Sequence, residues 1–153
     1  MNVYIKKLHP EAIIPKYQTK GASGFDLHAL IPNSWSVKDK KGILELNPGE
    51  RSIVPTGLAF EIPYGYEMQI RPRSGLAAKY GITIVNTPGT VDSDYRGEVS
   101  IILLNTSSEP VYIECKDRIA QGVIVPVVQA ELIEVTELSD TQRGEGKFGS
   151  TGK

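Results

Sequence analysis

The chain has 153 residues, a length for one domain on the usual scale of roughly 100–200 residues, and its 40% hydrophobic content suits a globular protein rather than a disordered one. Seventeen Lys and Arg against eighteen Asp and Glu leave a net charge of −1, which argues against a nucleic-acid-binding surface and against adhesion to anionic membrane. The single cysteine, Cys115, excludes an intrachain disulfide framework, and two histidines, His9 and His28, leave little for a histidine zinc site. No apolar run approaches the ~18 residues of a membrane span. The first residues, MNVYIKK, lack the basic-then-apolar order of a signal peptide, so a cytoplasmic protein is expected.

Taken in chain order, β signals dominate. The segment 33–42, with Trp35 and three lysines, reads as a surface hairpin extension. Tyr66, Met68 and Ile70 alternate with Glu67, Gln69 and Arg71, the period of a half-buried strand. Only 74–81 reads as helix: Ser74 suits an N-cap and Gly81 a C-terminal cap, and the segment is expected to plug the end of a sandwich. The run VSIILL at 99–104 is apolar on both faces apart from Ser100, which predicts cover on both sides. Strands are also expected at 111–114, 119–125 and 131–135, with turns at Asn47-Pro48-Gly49, Pro63-Tyr64-Gly65 and Pro88-Gly89 between elements. Many short strands and one short helix predict an all-β sandwich, jelly-roll or barrel.

Three segments carry candidate chemistry. Arg71-Pro72-Arg73-Ser74-Gly75 sets two guanidinium groups and a hydroxyl just before a helix, an arrangement suited to an anion with several oxygens or, alternatively, to pairing with carboxylates. In the segment 88–97, Asp92 lies between Val91 and Tyr95; a carboxylate sheltered there is a candidate base for activating water, and a plain solvated hairpin is the other reading. Asn86 suits hydrogen bonding to the edge of a base, or a buried turn. Asp26 is a candidate to orient an arginine, and Gln121 is polar within an apolar run, either a satisfied sheet position or a ligand contact. The last eleven residues, RGEGKFGSTGK, hold four glycines and Phe148: a frayed end by composition, yet an aromatic among glycines suits a flap over a planar ligand. Nucleophile elbow, Walker loop, zinc and dinucleotide signatures are absent from the sequence.

Five segments in order, SGFDLHA at 23–29, RPRSGLAAK at 71–79, NTPGTVDSDYRGE at 86–98, DRIAQGVI at 117–124 and RGEGKFGSTG at 143–152, resemble the five motifs of the trimeric dUTPases (dUTP diphosphatases). The resemblance implies a jelly-roll, β-clip-type homotrimer with active sites shared between chains: one β domain over residues 1–142, and a flexible flap over 143–153. It implies hydrolysis of dUTP to dUMP and pyrophosphate, which keeps uracil out of DNA and supplies dUMP for dTMP synthesis. By motif position Asp92 activates the water, Tyr95 packs on the deoxyribose, and Asn86 recognises uracil with Gly89, Thr90 and Val91 of the same hairpin. Arg73, Ser74 and Gly75 meet the phosphates with Gln121 beside them, and Asp26 organises them from behind. Arg143, Phe148, Gly149, Ser150 and Thr151 close over the ligand, and Mg²⁺ is held by the substrate's phosphates rather than by protein ligands. The expected partners are dUTP and further copies of the chain, with no nucleic acid and no membrane. Two departures stand out: Lys147 replaces a common glycine before the aromatic, and 33–42 is an insertion. Two rival readings are a dCTP deaminase-related enzyme, which needs an acid–base residue near the pyrimidine that Thr87, Pro88, Gly89 and Thr90 do not offer, and a regulatory nucleotide-binding protein on the same fold.

Overall fold

The computed structural model describes residues 1–37 and 40–147. Its strands are β1 (Tyr4–Lys7), β2 (Phe25–His28), β3 (Ser36–Val37), β4 (Lys40–Lys41), β5 (Ile43–Leu46), β6 (Arg51–Pro55), β7 (Leu58–Glu61) and β8 (Tyr66–Arg71). After the helix α1 (Ser74–Tyr80) come β9 (Ile82–Ile84), β10 (Gly89–Val91), β11 (Ser100–Asn105), β12 (Val111–Glu114) and β13 (Arg118–Pro126). This is the all-β architecture with one short helix that the sequence predicts. The pairings are antiparallel: β10-β8-β13-β2 form a four-stranded sheet, β6-β11-β9 a three-stranded sheet, and β1-β7, β12-β5 and β3-β4 are two-stranded ribbons. The β3-β4 ribbon is the hairpin extension expected from the insertion, although Lys38 and Asp39 at its tip lie outside the described residues.

Alternation decides which face of each strand enters the core. On β8, Met68 and Ile70 are buried while Glu67, Gln69 and Arg71 turn to the opposite face. Leu27, Phe60, Leu58, Leu46, Ile101 and Leu103 join Met68 in one apolar cluster, where Phe25 stacks against Phe60 with ring centroids 6.2 Å apart. Asn105, fully buried, donates to the carbonyls of Leu46 and Glu109 at 2.8 Å each, so its amide is satisfied inside the core.

Four expectations need correction. Ser74 is the first helical residue rather than the cap; Arg73 occupies the N-cap with extended backbone and makes no side-chain cap bond, its carbonyl taking the amides of Leu76 and Ala77. The other end follows expectation, since Gly81 adopts φ 65° and closes the helix by donating to Ala77 and Leu76. The helix is no buried plug: none of its residues is buried, and Leu76 packs half-buried against the apolar cluster while Ser, Gly, Ala and Lys offer little apolar surface to a core. On β11 only one face is fully covered, Ile102 and Leu104 remaining half-buried on the other. Finally, 131–135 forms no strand. Among the described residues, the chain beyond Pro126 pairs with no strand, and Val128, Leu132 and Leu138 are each about nine-tenths exposed. No helix among the described residues is long and apolar enough to cross a membrane.

Candidate active site

The outer face of the β10-β8-β13-β2 sheet carries most of the motif residues. Register puts Asp26 opposite Gln121 and Gln121 opposite Arg71, so one row across β2, β13 and β8 is polar. Asp26 holds two arginines: Arg73 Nε at 2.8 Å on Oδ1 and Arg118 Nη1 at 3.2 Å on Oδ2. Arg73 Nη1 also donates to the Arg118 carbonyl at 2.9 Å. Gln121 Nε2 donates to the Pro72 carbonyl at 2.9 Å. The 71–74 turn is thus tied at Pro72 by an amide and at Arg73 by a carboxylate, before any ligand arrives. Preorganised forked donors of this kind suit an anion with several oxygens. Of the two alternatives left open for the arginines, the structure shows pairing with a carboxylate, at Arg73, while Ser74 and Gly75 next to it remain exposed.

The sequence reading did not single out Arg118 or His28. Arg118 lies at a β-bulge between Arg118 and Ala120, a register shift that a period-two pattern does not reveal. His28 follows Asp26 by two residues on the same face, and its Nδ1 is buried with no hydrogen-bond partner among the described residues. Burial holds the imidazole below its ordinary range; Asp26 opposes that effect, while Arg118 and then Arg73 reinforce it.

The hairpin side of the sheet differs. Gly89 faces Ile70, Thr90 faces Gln69, and Val91 faces Met68 in β10-β8. Asn86 folds back over Gly89: a Cβ at 89 would lie 3.2 Å from Asn86 Nδ2 and 3.3 Å from Ile70 Cβ, so the missing side chain leaves room for the amide. Asn86 is exposed, not a buried turn residue. Asp92 is exposed as well, and Tyr95 is 45% exposed, which corrects the expected shelter between Val91 and Tyr95. The reason is alternation: Val91 turns into the core beside Met68, so Asp92 turns out. Tyr95 instead donates from its hydroxyl to the Glu98 carbonyl at 3.0 Å, folding over Gly97 rather than over Asp92.

Asp92 lines a cavity of about 460 Å³ with Tyr64, Tyr66, Glu67, Ser93 and Asp94. Arg73 and Arg118 line another, of about 490 Å³, with Leu76, Tyr80 and Tyr112. Neither cavity contains the other's charged groups. Glu67, in the first, lies four residues from Arg71 along β8, or about 14 Å at 3.4 Å per residue, and the Arg73 cluster lies beyond that. One chain thus keeps the carboxylate and the arginines apart. Arg143 is exposed and donates to the Gly146 carbonyl at 3.3 Å. Phe148, Gly149, Ser150 and Thr151 lie outside the described residues. Among the described residues, no group of three or more His, Cys, Asp or Glu is placed to hold a metal ion.

Comparison with known proteins gives these features a family. The dUTPase family model matches residues 10–152. The deoxyuridine 5′-triphosphate nucleotidohydrolase of Nautilia profundicola is 61% identical over the whole of both chains. That of Bdellovibrio bacteriovorus is 55% identical, covering 99% of this chain and 96% of its own. Among solved structures, a mutant dUTPase of Staphylococcus bacteriophage 80alpha with dUpNHpp superimposes with a TM-score of 0.83 over 99% of each chain, at 28% identity. With a family match across nearly its full length and relatives above half identity, the chain belongs to the dUTPase family.

Proposed function

We propose that this chain hydrolyses dUTP to dUMP and pyrophosphate in active sites assembled from copies of itself, as a homotrimer. The observation that carries the shared site is the separation of Asp92 from the Asp26–Arg73–Arg118 cluster on one sheet face, in two different cavities. A carboxylate that activates water must stand within hydrogen-bond reach of it, so the phosphates gripped by one chain's arginines need Asp92 from another. The exposed apolar chain beyond Pro126 supports association as well, since Val128, Leu132, Ile133 and Leu138 find no cover within their own protomer.

In this reading uracil lies in the 86–91 hairpin. The Asn86 amide and the main-chain groups of Gly89, Thr90 and Val91 present a fixed donor and acceptor pattern that cytosine does not match. Tyr95 packs against the deoxyribose and leaves no room for a 2′-hydroxyl. Arg73, Ser74 and Gly75 hold the phosphates, with Asp26 and Gln121 keeping the turn in shape. Asp92 accepts a proton as the water oxygen attacks the α phosphorus. The bond to the bridging oxygen between α and β phosphorus breaks, and pyrophosphate leaves. Mg²⁺, held by the substrate's phosphates rather than by protein ligands, would supply positive charge to offset that on the leaving group. Residues 143–153, with Arg143, Phe148, Gly149, Ser150 and Thr151, close over the site as a flap on the 1–142 domain.

Mixing tests the shared site. Asp92→Asn chains and chains cut before Arg143 are each expected to form nearly inactive homotrimers. Co-refolded together they should regain activity, because some sites then draw Asp92 from one chain and the tail from another. Heterotrimers that form and stay inactive contradict the arrangement.

A further inference from the structure

Gly24 lies just before β2, half-buried, and the β2-β13 register sets it opposite Val123 on the same outer face as Asp26 and Gln121. Its backbone is not in the left-handed region, so no turn geometry demands a glycine there. What demands it is Gln121. A Cβ at position 24 would sit 2.8 Å from Gln121 Oε1, against 3.2 Å from the Gly122 carbonyl and 3.2 Å from Val123 Cγ2. The Gln121 amide thus lies across the space that a side chain at 24 would fill, and from there its Nε2 reaches the Pro72 carbonyl.

We propose that Gly24 is a positioning residue for the phosphate-binding turn, acting through Gln121. The inference rests on the reading that Arg73, Ser74 and Gly75 hold the phosphates. Pro72 separates the two arginines of the turn, and the Gln121 amide is the side-chain donor on its carbonyl. Displacing that amide frees the turn on one side and leaves it held through Arg73, by Asp26 and the Arg118 carbonyl. The tightest contact of an added methyl is the far end of a flexible side chain. The other two need to yield by only tenths of an ångström. Gly24→Ala therefore moves Gln121 before it disturbs the sheet, so the cost falls on the site rather than on the fold.

The test is a double-mutant cycle on the full-length chain with Gly24→Ala, Gln121→Ala and the pair, read by three measurements. These are competitive inhibition by inorganic tripolyphosphate, which probes the phosphate end without a base, kcat/KM for dUTP, and the thermal midpoint. Gly24→Ala is expected to weaken tripolyphosphate inhibition and kcat/KM by about tenfold, with the midpoint within about 3 °C of the parent. In the Gln121→Ala background the same change is expected to alter inhibition by less than about twofold, since the space is already vacant. Additive losses, or an unaffected inhibition constant in Gly24→Ala, overturn the proposal. If Gly24→Ala does not fold, the Gln121→Ala background decides: restored folding there supports the steric link, and continued failure overturns it. Arg73→Ala separates the two levels. Tripolyphosphate inhibition unchanged in that variant defeats the phosphate assignment itself, whereas weakened inhibition alongside an additive cycle defeats only the role of Gly24.

Discussion

Asp92→Asn is expected to keep dUTP binding and to lose turnover by about 10²–10⁴-fold, the span that a positioned general base contributes. The substitution preserves volume and removes only the capacity to accept the water's proton. Asp92 is exposed in the protomer and lies outside the core, so the fold has no stake in its charge. The change therefore separates chemistry from binding. Affinity for a non-hydrolysable dUTP analogue, measured calorimetrically, is expected to stay within a few-fold of the parent, with single-turnover pyrophosphate release showing the loss. Turnover near that of the parent would remove Asp92 from the mechanism.

Truncation before Arg143 is expected to abolish most activity while leaving the folded assembly intact. The structural half of this expectation rests on burial. Among the described residues, 143–147 take no part in the core cluster, and their side-chain bonds are local, from Arg143 to the Gly146 carbonyl and from the Gly144 amide to Thr141 Oγ1. Removing them costs the fold little. The functional half rests on closure: expelling water strengthens every charge interaction at the triphosphate, and the Arg143 guanidinium with the Ser150 and Thr151 hydroxyls adds charge-assisted bonds there. Ordering a glycine-rich segment is entropically costly, which makes closure depend on ligand contacts. A Phe148→Trp variant in a Trp35→Phe background is expected to change fluorescence when the non-hydrolysable analogue binds. Unchanged turnover after truncation, or a tryptophan at 148 that does not respond to saturating ligand, would make the segment an idle end.

What the sequence revealed, and what it did not, follows from how local each signal is. Period-two alternation at 66–71 and the short apolar runs at 111–114 and 119–125 located β8, β12 and β13 to within a residue or two, because a buried face writes itself into consecutive residues. The same apolar pattern misled at 131–135. A strand needs a partner, and residues 131–135 carry no signal of whether a sheet edge within the protomer takes them up. Asp92 was misjudged for a related reason. Bulky neighbours in sequence do not shelter a residue just past a strand end when the flanking Val91 side chain points to the opposite face. Asp26 was read correctly as an organiser of an arginine, yet its second partner, Arg118, depends on a bulge 92 residues away in sequence. Motif order identified the chemistry far better than geometry could be inferred, since the five motifs keep their order while the two halves of the site end in different cavities of one chain.

The central claim is hydrolysis of dUTP between the α and β phosphates with selection for both base and sugar. Pyrophosphate release measured in parallel with dUTP, dCTP, dTTP and UTP, with and without Mg²⁺, addresses it most directly. Rapid release is expected from dUTP with Mg²⁺, with a sharp fall without the ion and little release from the other three nucleotides. Comparable release from dCTP or UTP, or ammonia formed from dCTP, would contradict the assignment of the 86–91 hairpin and Tyr95 to uracil and deoxyribose.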